Sequence, residues 1–244
     1  MGGCHVAAAL LGLAAAAHAA AQPHSPPGGD AAVVKRRLVA EMLPVLNQQA
    51  AAVKAAEALA TTLLPNGTFP DINYHEFRRA GWPMVAHLGR VSTMAAAWRG
   101  ANNGSATPTL APLLSKTLSA LDVWLTKDWK NPNWYDNEIG VPRQMGNIGL
   151  LLQPALSAAD ATKMTEIMAR ADWKGSGTVS HPKWTGANLL DMLKIQIHRG
   201  VFANDSNALA QVISRAFPFL LNTRNSELRE FLLKWPLSQV KQRY

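Results

Sequence analysis

Apolar residues in this chain return every three or four positions, stretch after stretch, and nowhere alternate one by one. Val34, Leu38, Met42, Val45 and Leu46 set the pattern; Val85, Leu88, Val91, Met94 and Ala95 repeat it, as do Leu113, Leu114, Leu118, Leu121 and Trp124. A period near 3.6 puts such residues on one face of an α-helix, whereas a half-buried strand needs a period of two. The fold class that follows is all-α. Helical stretches are predicted over 31–64 with Pro44 as a kink, and over 82–98, 110–125, 138–152, 157–171, 185–201, 205–221 and 226–240. Ser157, with Asp160 three residues on, marks the start of one of them. Between the stretches lie segments rich in Pro, Gly and Asn, such as LPNGTFPDINY over 64–74. Helix pairs joined by loops that alternate long and short stack into bundles, solenoids or closed α/α toroids, and no fixed-period repeat points to an ankyrin or tetratricopeptide array.

The two ends read differently from the middle. MGGCHVAAALLGLAAAAHAAA (1–21) has an apolar centre followed by small residues, the layout of a secretory signal, although the usual basic start is missing; alanine-rich low complexity is the alternative. Its apolar run is too short to span a bilayer, and no later segment supplies ~20 uninterrupted apolar residues. Residues 22–32, which begin QPHSPPGGD, read as a linker, 33–221 as the helical domain and 222–244 as a further helical tail. Cys4 is the only cysteine and lies inside the signal, so the mature chain would hold neither a disulfide nor a thiolate nucleophile. The expected localisation is secreted. Asn-x-Ser/Thr sequons at Asn66, Asn103 and Asn204 would matter only in a eukaryotic secretory pathway.

The formal charge is +8, and every charged side chain lies after residue 29. A basic exported protein meets acidic partners such as anionic polysaccharide, cell wall or membrane surface. Nucleic acid is disfavoured, because export removes it and the basic residues are scattered without an arginine-rich run. A monomer is expected.

Several chemistries are excluded by spacing. No Gly-x-Ser-x-Gly elbow supports a serine nucleophile. Seven histidines, at 5, 18, 24, 75, 87, 181 and 198, form no metal-binding pattern, and no cofactor or metal is expected. His87 and His198, on helices with apolar neighbours, read as core or rim residues. Asp136 and Glu138 could be the paired carboxylates of a glycosidase, but acids at a helix start read better as caps and dipole partners. The aromatics say more. Eight tryptophans are many for one helical domain, and Trp129, Trp134, Trp173 and Trp184 fall in loops or at helix ends. A sugar ring packs its apolar C–H face on an aromatic plane while its hydroxyls need amides and charges. Trp134 and Tyr135, flanked by Asn133 and Asn137, offer both; the alternative is that the rings plug the ends of helix pairs.

Three ordered segments carry a resemblance. NWYDNEIGVPRQMGNIGLLL (133–152) closely resembles the N-W-W-D-x-E-I-G-x-P-R motif of the hyaluronate, chondroitin AC and xanthan lyase family. WTGANLLDMLKIQIHRGV (184–201) is similar to that family's T-G-A-N helix, and DINYHEFRRAGWPMVAHLGRVSTMA (71–95) to its I-N-Y…W-P…H-L-x-R segment. The resemblance implies an incomplete α/α toroid built from antiparallel helix pairs, with a cleft for an acidic, uronate-containing polysaccharide such as hyaluronan or chondroitin. It implies that Trp134 and Tyr135 form the aromatic patch under the sugar chain, with Tyr replacing the family's second Trp. Asn133 and Arg143 would be polar contacts in the cleft, and Asn188 the catalytic asparagine, expected opposite the patch. For Asn188 alone, an N-cap of the following helix would be the ordinary reading.

The implied activity is that of a carbon–oxygen lyase. β-Elimination removes the C5 proton of a uronic acid beside its carboxylate, and an amide donor at that carboxylate stabilises the enolate-like charge that develops. A base takes the proton and an acid protonates the departing O4. In the family a His and a Tyr follow the Asn on a later loop. Here only His198 and Tyr244 follow Asn188, and neither lies in the family's motif; the tail 222–244 diverges as well. The later part of the toroid and the β-sandwich domains have no counterpart, so the chain reads as a partial, truncated N-terminal helical domain. On its own it is expected to be inactive or nearly so; the alternative is a secreted remnant that binds carbohydrate without cutting it.

Overall fold

The structure is a computed structural model that describes residues 29–102, 110–175 and 184–222. Every regular element among these residues is helical: α1 Gly29–Met42, α2 Gln49–Thr62, α3 Val85–Asn102, α4 Ala111–Lys127, α5 Val141–Leu152, α6 Ala158–Ala169, α7 Gly186–Ala203 and α8 Ser206–Asn222. None is long and apolar enough to cross a membrane. The predicted helix over 226–240 and the signal-like segment 1–21 lie outside the described residues.

Two boundaries differ from expectation. Pro44 does not kink one helix but separates two: α1 stops at Met42, and a short 3-10 turn over Leu46–Gln48 leads into α2. Proline lacks the N–H that would continue the ladder, and its ring steers the preceding Leu43 away from helical backbone. The helix expected to begin at Glu138 begins at Trp134 and passes through a π-helical turn, Asp136–Gly140, before α5. Asp136 and Glu138 therefore lie inside the first turn, and neither supplies the cap. Ser157 does cap α6, where its hydroxyl accepts the Asp160 N–H at 3.1 Å.

The helices form two layers. α1, α3, α5 and α7 contact one another in one layer (α3 with α5, α5 with α7, α1 with both α5 and α7); α2, α4 and α6 contact one another in the second, and α8 packs on α7. α2 packs on α3, α3 on α4, α5 on α6 and α6 on α7 across the layers, and the short links from α5 to α6 and from α7 to α8 turn the chain back antiparallel. α5 has neighbours on most sides, and nine of its twelve residues are buried, from Val141 to Leu152. Glycines let the layer close up. A Cβ on Gly146 would lie 3.0 Å from His198, and one on Gly149 would lie 3.2 Å from the Phe202 ring, so α5 and α7 meet where α5 has no side chain.

The long segment 63–84 is held by a buried polar chain. The Phe69 N–H donates to the Tyr74 hydroxyl at 3.0 Å, and that hydroxyl lies 2.8 Å from His87 Nδ1. His87 Nε2 lies 2.8 Å from the Ala120 carbonyl, which can only accept, so Nε2 carries the proton and Nδ1 accepts from Tyr74. Rings of Phe69, Trp124 and Trp129 surround this histidine. Burial pushes its pKa down to about 4, so the ring is neutral, as a core histidine should be.

Candidate functional site

At one end of the layers, the segment before α5 is stitched together by asparagines. The Asn133 side-chain oxygen accepts the Tyr135 N–H at 3.2 Å, which makes Asn133 the N-cap of the helical run that starts at Trp134. Asn137 reaches back, donating to the carbonyls of Asn131 at 2.6 Å and Asn133 at 3.3 Å and accepting the Asn131 N–H at 2.9 Å. Asn131 and Asn133 then donate outward, to the carbonyls of Arg78 at 3.0 Å and Arg79 at 3.1 Å. The run of amides in the sequence is thus first a loop scaffold, and Asn133 brings to a ligand only the hydrogen-bonding capacity left by these bonds.

The scaffold fixes the aromatic pair. Trp134 is 39% exposed, large for a tryptophan in a chain whose Trp82, Trp98 and Trp124 are fully buried. Its ring centroid lies 5.9 Å from that of Tyr135, edge to face, and 4.9 Å from that of Trp184, with the two planes tilted by 37°. Trp184 itself is only 9% exposed. It backs the Trp134 ring from inside, and its position just before Thr185 ties the aromatic pair to the start of α7.

Thr185 is the extended N-cap residue of α7, and Gly186 follows with φ +60°, a left-handed backbone that favours glycine. Asn188 is therefore the third residue of the helix and not its cap, so the ordinary reading of that residue does not hold. It is half-buried, and among the described residues its side-chain amide makes no hydrogen bond. One turn further, Asp191 receives Arg143 from α5 at 3.8 Å, with both side chains partly exposed. Asn188 and Asp191 are three residues apart and share a helix face. The π-turn and Gly146 bring α5 close enough for Arg143 to reach that face.

The structure sets Trp134, with Tyr135 against it, beside Trp184 just ahead of α7, and Arg143 against Asp191, one turn from Asn188, with Asn133 pinning the loop before Trp134. Sequence reasoning missed two parts. Trp184 reads as a loop tryptophan at the head of W-T-G-A-N, and nothing in the sequence joins it to the aromatic pair. Asp191 was not singled out. Two acids near the site behave differently: burial raises the Asp136 pKa, whereas at Asp128 burial is outweighed by hydrogen bonds from Arg170 and Lys130, which hold its pKa low and tie the end of α4 to the end of α6. His198 is only 3% exposed against Gly146, and burial, with Lys194 nearby, lowers its pKa to about 3. Facing the core, it is not placed to take a proton from a bound sugar.

Residues 31–226 match the description of the polysaccharide lyase family 8 N-terminal alpha-helical domain. The chain belongs to this family. Chondroitinase-AC of Pedobacter heparinus is 26% identical over 167 residues, which make up 67% of this chain and 22% of that protein. A chondroitinase AC lyase solved in enzyme–oligosaccharide complexes has a TM-score of 0.66 at 24% identity, covering 79% of this chain and 27% of that one. Paenibacillus xanthan lyase gives 0.59 at 19% identity, covering 76% and 18%. The two-layer array of helix pairs is thus the α/α toroid-type fold of family 8, as its sequence motifs implied. The chain spans about a quarter or less of the length of these relatives.

Proposed function

We propose that this family 8 chain seats a uronate-containing acidic polysaccharide of the hyaluronan or chondroitin type along the α5–α7 boundary and presents it for cleavage by β-elimination. The observation that carries the reading is the contact of Trp134 with the buried Trp184, which puts a partly exposed aromatic face beside the helix start that holds Asn188. Trp134 and Tyr135 take the apolar face of a sugar ring. Arg143, only loosely paired with Asp191, offers a guanidinium to a carboxylate or sulfate. The uncommitted Asn188 amide donates to the uronate carboxylate and stabilises the charge that builds on it as the C5 proton departs. The C5–H electron pair becomes the C4–C5 double bond as the C4–O4 bond breaks, and O4 leaves protonated. The base and acid are groups other than His198, which is buried and neutral.

Protein incubated with hyaluronan, chondroitin sulfate and alginate tests the reading through the ultraviolet absorbance of an unsaturated uronate. Absorbance that appears with wild type and disappears in Asn188→Ala supports elimination. No absorbance from any acidic polymer at high protein concentration overturns cleavage by this chain and leaves only the binding reading. Export belongs to the same proposal, and a secreted protein whose sequence starts at Gln22 would support the signal read over 1–21.

A further inference from the structure

We infer that the turn 75–81 is an additional subsite of this cleft, in which Arg79 takes an anionic group of the polysaccharide and Phe77 takes the face of a neighbouring sugar ring. The inference rests on the proposed cleft and extends it beyond the residues that the motifs indicated.

Three side chains clamp this turn by its backbone. The buried Trp82 donates its indole N–H to the Glu76 carbonyl at 3.0 Å, and Asn131 and Asn133 donate to the carbonyls of Arg78 and Arg79. Asn133 is the residue that caps the Trp134 helix, so one amide joins the turn to the aromatic pair. Gly81, with φ +64° and open space around it, turns the chain back towards Trp82. A turn held this firmly would ordinarily bury its apolar side chain. Phe77 is instead 49% exposed, more than any described aromatic residue, Trp134 included.

The charges sort in the same way. Arg78 is paired with Glu76 at 3.1 Å. Arg79 is exposed, and its guanidinium has no partner among the described residues. A fixed backbone that presents one free guanidinium and one free aromatic ring, a single hydrogen bond away from an aromatic sugar platform, is complementary to an acidic sugar chain. Ordering the turn in advance removes much of the entropy that binding would otherwise cost.

Binding of chondroitin sulfate, hyaluronan and a neutral carboxyl-reduced, desulfated chondroitin by wild type, Arg79→Ala, Phe77→Ala and Trp134→Ala tests the assignment. Arg79→Ala is expected to weaken both acidic polymers about ten-fold at low salt and to flatten the salt dependence, while the neutral polymer is unaffected. Phe77→Ala is expected to weaken all three. Unchanged thermal unfolding is expected for both, since neither side chain is buried. If Trp134→Ala binds weakly while Arg79→Ala and Phe77→Ala match wild type, the subsite is wrong and the cleft stands. If wild type binds no acidic polymer, the cleft reading fails and the subsite fails with it.

Discussion

The seam between α5 and α7 and the loop end where both helices begin are made by the same pair of helices in opposite ways. Along the seam, His198 and Phe202 of α7 are buried against Gly146 and Gly149 of α5, which allow close approach. At the loop end, Asn131, Asn133 and Asn137 hold the chain by side-chain amides, and Trp134, Arg143 and Asn188 stay partly open. Apolar packing fixes where the helices lie; amide bonding fixes what they present. Damage to the first should appear as lost stability, and damage to the second mainly as lost binding.

The largest effect is expected in the seam. Ile195→Ala should cost about 3 kcal/mol in urea unfolding, because the buried Ile195 precedes His198 by one turn on the face of α7 that meets α5, where the vacated volume cannot fully collapse. A cost below about 1 kcal/mol would mean that the seam is not packed as described. Acid should also destabilise the fold. His198 titrates near pH 3 when folded and near its ordinary value of 6.5 when unfolded, so the unfolded chain binds the extra proton between those values. Stability is fully present above pH 6.5 and falls as the pH drops towards 3, with His87 adding loss down to about pH 4. Unfolding free energies measured across that range in His198→Gln and wild type separate this part from the carboxylates, since the variant should show a shallower fall.

Gly146→Ala should cost about 2 kcal/mol, because the new methyl would sit 3.0 Å from His198 in a seam with little room to give. Equal or higher stability would show that the seam is loose there. Asn137→Ala, at the loop end, should cost about 1 kcal/mol by removing the bonds to Asn131 and Asn133, yet it should weaken polysaccharide binding as Trp134 loses its footing. A variant that loses stability but keeps full affinity would separate the amide scaffold from the cleft.

The same contrast explains what the sequence made legible. Period and breakers were enough for α3 to α8, because apolar burial leaves a regular trace, and Ser157 marked its own cap. Pro44 signalled an interruption but not its extent. The start of the helix at Trp134 was hidden, because a π-turn shifts the register and Asn133 was read as a ligand contact rather than a cap. Trp134 and Tyr135 stood out as an aromatic pair among asparagines, but Arg143 and Asn188 were singled out only through motif resemblance, since nothing in local propensity distinguishes a ligand contact from a packing one. Trp184 and the turn 75–81 needed the structure, since contacts between positions about fifty residues apart leave no periodic trace.

The central claim is that Trp134 is a sugar platform and not part of the core. Equilibrium binding of chondroitin sulfate to wild type and Trp134→Ala, with unfolding followed on the same samples, tests it most directly. Trp134→Ala is expected to bind at least about ten-fold more weakly with stability changed by no more than about 0.5 kcal/mol, as for a partly exposed ring that carries binding. Unchanged affinity, or a loss of binding fully matched by a loss of folding, would contradict it.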